Sequence, residues 1–325
     1  MKTYRVHRAF LMVGAVFFSL TLFASNGFPW GSATHANIDD RIGKKLRLCN
    51  LNEIYGAMAA DIFNLSPDVL DPSSPIYSLY LKAHFGSLKV WGEAQRPAIS
   101  KLGKAAAFGF VSHDNLKLGA DYTAHTAYGD GPGYVIAKAD TLAAHIGPAL
   151  TGPLGLPETV VLELCHILVE YAIDIMVVYD LAPNAKTAQK MMASSMFRSP
   201  ELPLLLVKAY AADLAEEFPG INRFKAAQMI ISAEREFRKT IIVYGQALTQ
   251  QDKSDAVESV AMLLASLAQE IYGIAPDDEV TEDVIISLAK DGLGAAMTLC
   301  ADFDIAIQDT VNAVKANLRE AGIQY

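Results

Sequence analysis

The residues best equipped for chemistry in this chain are its histidines and the acids near them, an imidazole–carboxylate set suited to a divalent metal. Seven histidines are present; after His7 they run His35, His84, His113, His125, His145 and His166, and none follows. The most informative stretch is 158–181, ETVVLELCHILVEYAIDIMVVYDL. It is apolar around nearly its whole circumference, which predicts a helix buried on all sides. Within it Glu163, His166, Glu170 and Asp174 are spaced three, four and four, which makes one polar stripe on that helix. Burying three carboxylates and an imidazole together is costly unless something compensates them. A cation would do so. His166-x3-Glu170 offers an imidazole and a carboxylate to one metal, with Glu163 and Asp174 as acceptors behind them. A hydrogen-bonded network to Arg or Lys of another helix is the metal-free alternative.

A second group is His113–Asp114 followed by Asp121-x3-His125. Asp121 and His125 are again four apart, and His113 returns to a similar face if one helix spans them all. The plain alternative is a solvated helix end whose acids act as caps. Trp30-Gly-Ser-Ala-Thr-His35, Asp61 in GAMAADIF and His84 in LKAHFG complete the inventory. Singly, each is more often a cap or an ordinary core histidine than a ligand. One metal takes three or four ligands, so the full set suits more than one.

Helices must position these side chains. Apolar spacing near 3.6 predicts helices over 40–63, 76–91, 97–113, 134–147, 158–181, 186–196, 202–217, 223–247, 252–272, 280–291 and 294–319. Starts are signalled at Pro97, at Pro157–Glu158, at Ser199–Pro200–Glu201 and at Thr281–Glu282–Asp283. Gly and Pro at 129–133 and 147–157 predict loops. No stretch alternates like a strand. The expectation is an all-α, multi-helix bundle. Its metal-binding core would span 30–198, and a helical C-terminal part, 199–325, would continue the same domain.

Composition narrows the function. The chain has 325 residues, 52% of them hydrophobic, which excludes a disordered protein. Its net charge of −9, without a clustered Lys/Arg patch, argues against a phosphate-backbone binder and a stable nucleic-acid partner. Lys2, Arg5 and Arg8 precede an uncharged run from Ala9 to Ala24, the pattern of a secretory signal over 1–29 cut near 24–29. An uncleaved anchor is the alternative. Without that leader 24 basic residues face 36 acidic ones, a net −12 on an exported protein, secreted or periplasmic. Cys49, Cys165 and Cys300 are odd in number and widely spaced, so no disulfide framework is encoded, and Cys165 reads as a buried thiol.

The ordered set Trp30, His35, Asp61, His84, His113–Asp121–His125 and His166-x3-Glu170 resembles the zinc-dependent phospholipase C family, to which the helical zinc nucleases are related. The likeness covers residues 30 to about 180; beyond them it is one of helical character only. It implies a phospholipase C/nuclease-like bundle with two to three Zn2+ per chain. One zinc would be held by Asp61, His84, His113 and Asp121, a second by His125, His166 and Glu170, and a third by Trp30, His35 and a bridging Asp121. The family spaces its cluster His-x3-Asp-x5-His. Here it is His113-x7-Asp121-x3-His125, which leaves Asp114 as an alternative to Asp121. His145 matches no family ligand. The implied activity is phosphodiester hydrolysis by metal-bound hydroxide, with Asp61 as both ligand and base and a phospholipid or other phosphodiester as substrate. Peripheral membrane contact through Phe28, Trp30, Phe63 or Phe85 would suit a lipid. A zinc nuclease and a non-enzymatic secreted protein with structural or lost zinc are the alternatives.

Overall fold

Helices account for most of the described residues, as the apolar spacing predicts. The computed structural model describes residues 30–181, 185–272 and 281–325. The predicted leader lies outside them. Thirteen α-helices follow in chain order among the described residues: α1 Ser32–Ile42, α2 Arg47–Met58, α3 Pro75–Phe85, α4 Leu88–Ala94, α5 Lys101–His113, α6 Tyr134–Leu154, α7 Glu158–Met176, α8 Lys186–Met196, α9 Glu201–Glu217, α10 Arg223–Leu248, α11 Lys253–Tyr272, α12 Glu282–Leu299 and α13 Phe303–Glu320. No strand occurs among these residues; one isolated bridge pairs Tyr128 with Gly131. The three cysteines are buried and free, Cys165 in the middle of α7.

Several boundaries differ from expectation, each for a local reason. The run expected as one helix over 40–63 is α1, a break at Gly43, α2 and a 3-10 turn over Ala59–Phe63. Glu53 holds that break by accepting the Lys44 N–H at 2.8 Å. The 76–91 run is likewise split at Gly86 into α3 and α4. α5 starts four residues after Pro97, where Ser100 Oγ accepts the Gly103 N–H. The loop expected over 147–157 is shorter, because α6 continues through Pro148 to Leu154 and ends at Gly155 in the left-handed region. α12 runs through Gly292 to Leu299, and the final break falls at Cys300–Asp302. Gly292 is a contact residue here: a Cβ on it would stand 2.7 Å from Leu168 of α7.

Two packing events position the site. α2 and α5 cross with almost no space between their backbones. A Cβ on Gly56 would lie 2.0 Å from the Ala106 carbonyl oxygen, and one on Gly109 would lie 1.9 Å from that of Glu53. That contact requires glycine on both helices, and it sets His113, the last residue of α5, against the end of α2. α7 is packed by α1, α6, α11 and α12, so both halves of the chain surround it. One apolar core of buried residues extends from Trp30 to Ile323.

Candidate metal centre

Five of the nine expected site residues converge in one buried cluster. His35 comes from α1, Asp61 from the 3-10 turn, His84 from the last turn of α3, His113 from the end of α5, and Asp121 from the loop after it. His113 Nε2 lies 2.8 Å from Asp121 Oδ2 and 3.6 Å from Asp61 Oδ1. His35 Nε2 lies 3.0 Å from Asp121 Oδ1, and His84 Nε2 lies 3.3 Å from Asp61 Oδ1. Asp121 therefore turns one oxygen to His35 and the other to His113. The His35 and His113 rings stack with centroids 4.0 Å apart.

Ring orientation decides what these nitrogens offer. His84 Nδ1 is 2.9 Å from the Tyr80 carbonyl, and His113 Nδ1 is 2.7 Å from that of Ala57. A carbonyl only accepts, so each Nδ1 carries the proton and donates it. In the neutral ring each Nε2 then presents a lone pair to a carboxylate. At these distances each pair needs a positive charge between its atoms, either a proton on Nε2 or a metal ion. His35 Nε2, His113 Nε2 and both Asp121 oxygens are buried without a hydrogen bond. Such orphaned buried atoms are costly, and a metal would satisfy them together.

The second cluster is smaller. His166 and Glu170 sit one turn apart on α7, with His166 Nε2 2.8 Å from Glu170 Oε1. His125, on a π turn over Tyr122–Thr126, brings its Nε2 to 3.2 Å from His166 Nε2 and 3.6 Å from Glu170 Oε1. The π turn resolves the expected single face of Asp121 and His125: four residues no longer make a full turn, and the two serve different clusters.

Within each of three sets the potential ligand atoms lie within 4.8 Å of one another: His35–Asp61–His113, His84–His113–Asp121 and His125–His166–Glu170. Each set could hold a metal ion. Nitrogen and oxygen ligands of a tetrahedral zinc at 2.0–2.1 Å stand about 3.3 Å apart, within the range of these separations.

Charge differs between the clusters. Burial lowers the affinity of His113 for protons, but the carboxylates of Asp121 and Asp61 outweigh it and bring its pKa up to about 9. The Asp121 carboxyl, despite its burial, is held far below the usual range by His113 and His35. His35 is lowered by burial and by the charge of His113. In the second cluster burial dominates: it pushes His125 well below its ordinary pKa, and it pushes Glu170 well above, assisted by Asp61 and Asp121.

The remaining residues fall elsewhere. Asp114 accepts from Ser87 Oγ and, at 2.6 Å, from the Leu116 N–H. It caps the end of α5, and Asp121 takes the place in the cluster. Asp174 touches no ligand side chain. It accepts the N–H groups of Ala33 (2.9 Å) and Thr34 (2.7 Å), the Thr34 hydroxyl (2.7 Å) and the Tyr244 hydroxyl (2.8 Å). α1 has no N-cap side chain of its own, so Asp174 caps it from α7 and thereby fixes His35. Burial raises Asp174 to about 6 against those four bonds. Glu163 is half-buried one turn before His166, and burial raises its pKa. His145 is exposed on α6.

Trp30 is fully buried, donates its indole N–H to the Ala120 carbonyl at 3.1 Å and stacks on Tyr134. It thus braces the residue before Asp121. Phe63 is buried as well, so of the aromatics expected at a lipid interface only Phe85, 40% exposed, is at the surface among the described residues. Phe28 lies outside them.

One cavity of about 360 Å³ opens beside the clusters. Asp61 of the first and Glu170 of the second line it, with Trp30 and Asn64, whose Nδ2 donates to Asp61 Oδ1 at 2.9 Å. The rest of its wall is mostly aliphatic, with Tyr171, Phe237, Tyr244 and the hydroxyls of Ser32, Thr240 and Ser266 among it, and comes largely from α7, α10, α11 and α12. Neither the cavity nor the Asp174 cap had a readable sequence signal. Apolar residues at helical spacing look the same whether they face a void or a neighbour. No protein-family model, curated protein or solved structure matches this chain, so the likeness to the zinc phospholipases rests on the ordered ligand residues alone.

Proposed function

We propose that this protein is an exported, zinc-dependent phosphodiester hydrolase of phospholipase C type. The observation that carries the reading is that two imidazole–carboxylate clusters contribute to one cavity, through Asp61 and Glu170. Imidazole with carboxylate in near-tetrahedral spacing favours zinc over the all-oxygen cations. Asp61, His84, His113 and Asp121 would hold one ion, His125, His166 and Glu170 another, and His35 with Asp121 is the basis for a third. Bound zinc supplies water of lowered pKa and positive charge opposite a phosphate.

The chain's own groups do the positioning. The Tyr80 and Ala57 carbonyls lock the His84 and His113 rings with Nε2 inward. Asn64 orients Asp61, which lines the cavity and is the candidate base. A lipid substrate is favoured over nucleic acid because no Lys or Arg among the described residues lines the cavity and most of its wall is aliphatic. Single-stranded nucleic acid is held instead by cationic grooves with stacking aromatics.

The test is metal content followed by substrate choice. Protein purified without chelator should carry two or three zinc ions. It should cleave a chromogenic phosphocholine ester in preference to single-stranded DNA, and lose that activity to chelation. Less than one zinc per chain, or chelator-insensitive turnover, overturns the reading; preference for DNA moves it to the nuclease class.

A further inference from the structure

The cavity extends far beyond what a phosphate and a metal pair require, and its walls are made by α7 together with helices of the half of the chain that bears no histidine. Its aliphatic lining includes Ile167 of α7, Ile241 and Val243 of α10, Leu263 and Leu267 of α11, and Leu288 of α12. Among the described residues its charged lining is limited to Asp61 and Glu170, both members of the ligand clusters. Interiors are close-packed, with few voids larger than a water molecule. A space of about 360 Å³ lies in the range of ligand pockets, about 300–1,000 Å³. At roughly 30 Å³ for each water-sized group, it holds on the order of a dozen methylenes.

We infer that this cavity takes one hydrocarbon chain of the substrate into the fold, with the phosphodiester at the end lined by Asp61 and Glu170. The inference rests on the phosphodiesterase reading and names the substrate as an amphiphile recognised by a single tail. The argument is one of complementarity. The Leu, Ile, Val and Ala side chains that make most of the wall offer dispersion contact and no directed polar partner, which suits polymethylene better than a sugar, base or peptide. The hydroxyls of the C-terminal helices at the wall are already committed: Tyr244 donates to Asp174, Thr240 to the Glu236 carbonyl and Ser266 to the Met262 carbonyl. The volume accommodates one chain, so the second tail of a diacyl lipid would stay outside. α10, α11 and α12 thereby acquire a role: they measure chain length.

The experiment is calorimetric binding of alkylphosphocholines with tails of about six to about fourteen carbons, kept below micelle-forming concentrations, to the zinc-loaded full chain. Affinity should rise about fourfold per methylene and level off near a dozen carbons. Val243→Trp is the companion variant, because Val243 lines the cavity yet is 50% exposed and tolerates a large side chain without disturbing the core. It should shorten the length at which affinity levels off, with zinc content and hydrolysis of bis(4-nitrophenyl) phosphate unchanged. Ala289→Phe fills the cavity from α12 and should do the same. Affinity independent of tail length in the unmodified protein overturns the inference, whatever becomes of the variants; so does a length profile that neither variant alters. The two readings fail separately. Tail-length dependence without any diester hydrolysis sinks the enzyme and keeps the chain site, whereas hydrolysis without length dependence sinks the chain site alone.

Discussion

The two clusters solve the same problem, burial of imidazoles with carboxylates, in opposite ways. The larger one draws five residues from five segments and keeps its charges: His113 is driven up to about 9, Asp121 is driven down, and each sustains the other. The smaller one draws three residues from α7 and a π turn and sheds its charges, with His125 pushed down and Glu170 pushed up by burial. The rings also differ in anchorage. His84 and His113 are fixed by backbone carbonyls, whereas His125 Nδ1 is buried without a partner. Close opposite charges in a dry setting support one another; a lone acid and a lone base there are both better off neutral. The larger cluster is thus part of the fold with or without a metal, and the smaller one awaits its cation.

The sharpest way to break that contrast is Asp121→Ala. It leaves His35 buried without its carboxylate and His113 with Asp61 alone, at 3.6 Å, and the expected loss is about 3–5 kcal/mol in denaturant unfolding, together with the metal of that cluster. A loss below 1 kcal/mol would mean that the cluster does not carry the fold.

Asp174, which ties α7 to the start of α1, tests the link between the clusters. Its carboxyl has a raised folded-state pKa of about 6, against an ordinary value of 3.8. A raised carboxyl favours the folded state while protonated, and that contribution fades as pH rises from about 4 through 6. Asp174→Asn should therefore be most damaging near pH 4, its relative cost shrinking by about 3 kcal/mol towards pH 7 in the metal-free chain. A cost independent of pH would show that the four hydrogen bonds keep the group ionised throughout.

The smallest stability effect should come from Glu170→Gln. With Glu170 protonated in the absence of metal, the amide is a near replacement, at about 1 kcal/mol or less. Metal affinity of the smaller cluster should nevertheless fall by more than roughly 100-fold, with zinc content dropping by about one and phosphodiester turnover going with it. Equal stability losses for Glu170→Gln and Asp121→Ala would erase the distinction.

Much of this was legible in the residue order, but unevenly. His166-x3-Glu170 could be read from one helix because the α-helical repeat alone puts the two together. His113 and Asp121 could be grouped by proximity in the chain, yet their relation could not, since it depends on the cap at Asp114 and the π turn that follows. Gly43, Gly86 and Pro148 had equal claims as breaks; two end or split helices and one does not. Punctuation residues shift a local balance that neighbouring helices then settle.

By itself the sequence determined the all-α class, the buried character of α7, the ligand residue types and the pairing on α7. These follow from periodicity and donor chemistry, which need no distant contact. The tertiary structure decided the rest. It brought His35, Asp61, His84, His113 and Asp121 together from five segments, assigned Asp174 to cap α1, and left one apolar cavity between the clusters and the C-terminal helices. Such outcomes depend on how closely helices approach, as at Gly56 and Gly109, and a distance between backbones is not written in the order of side chains.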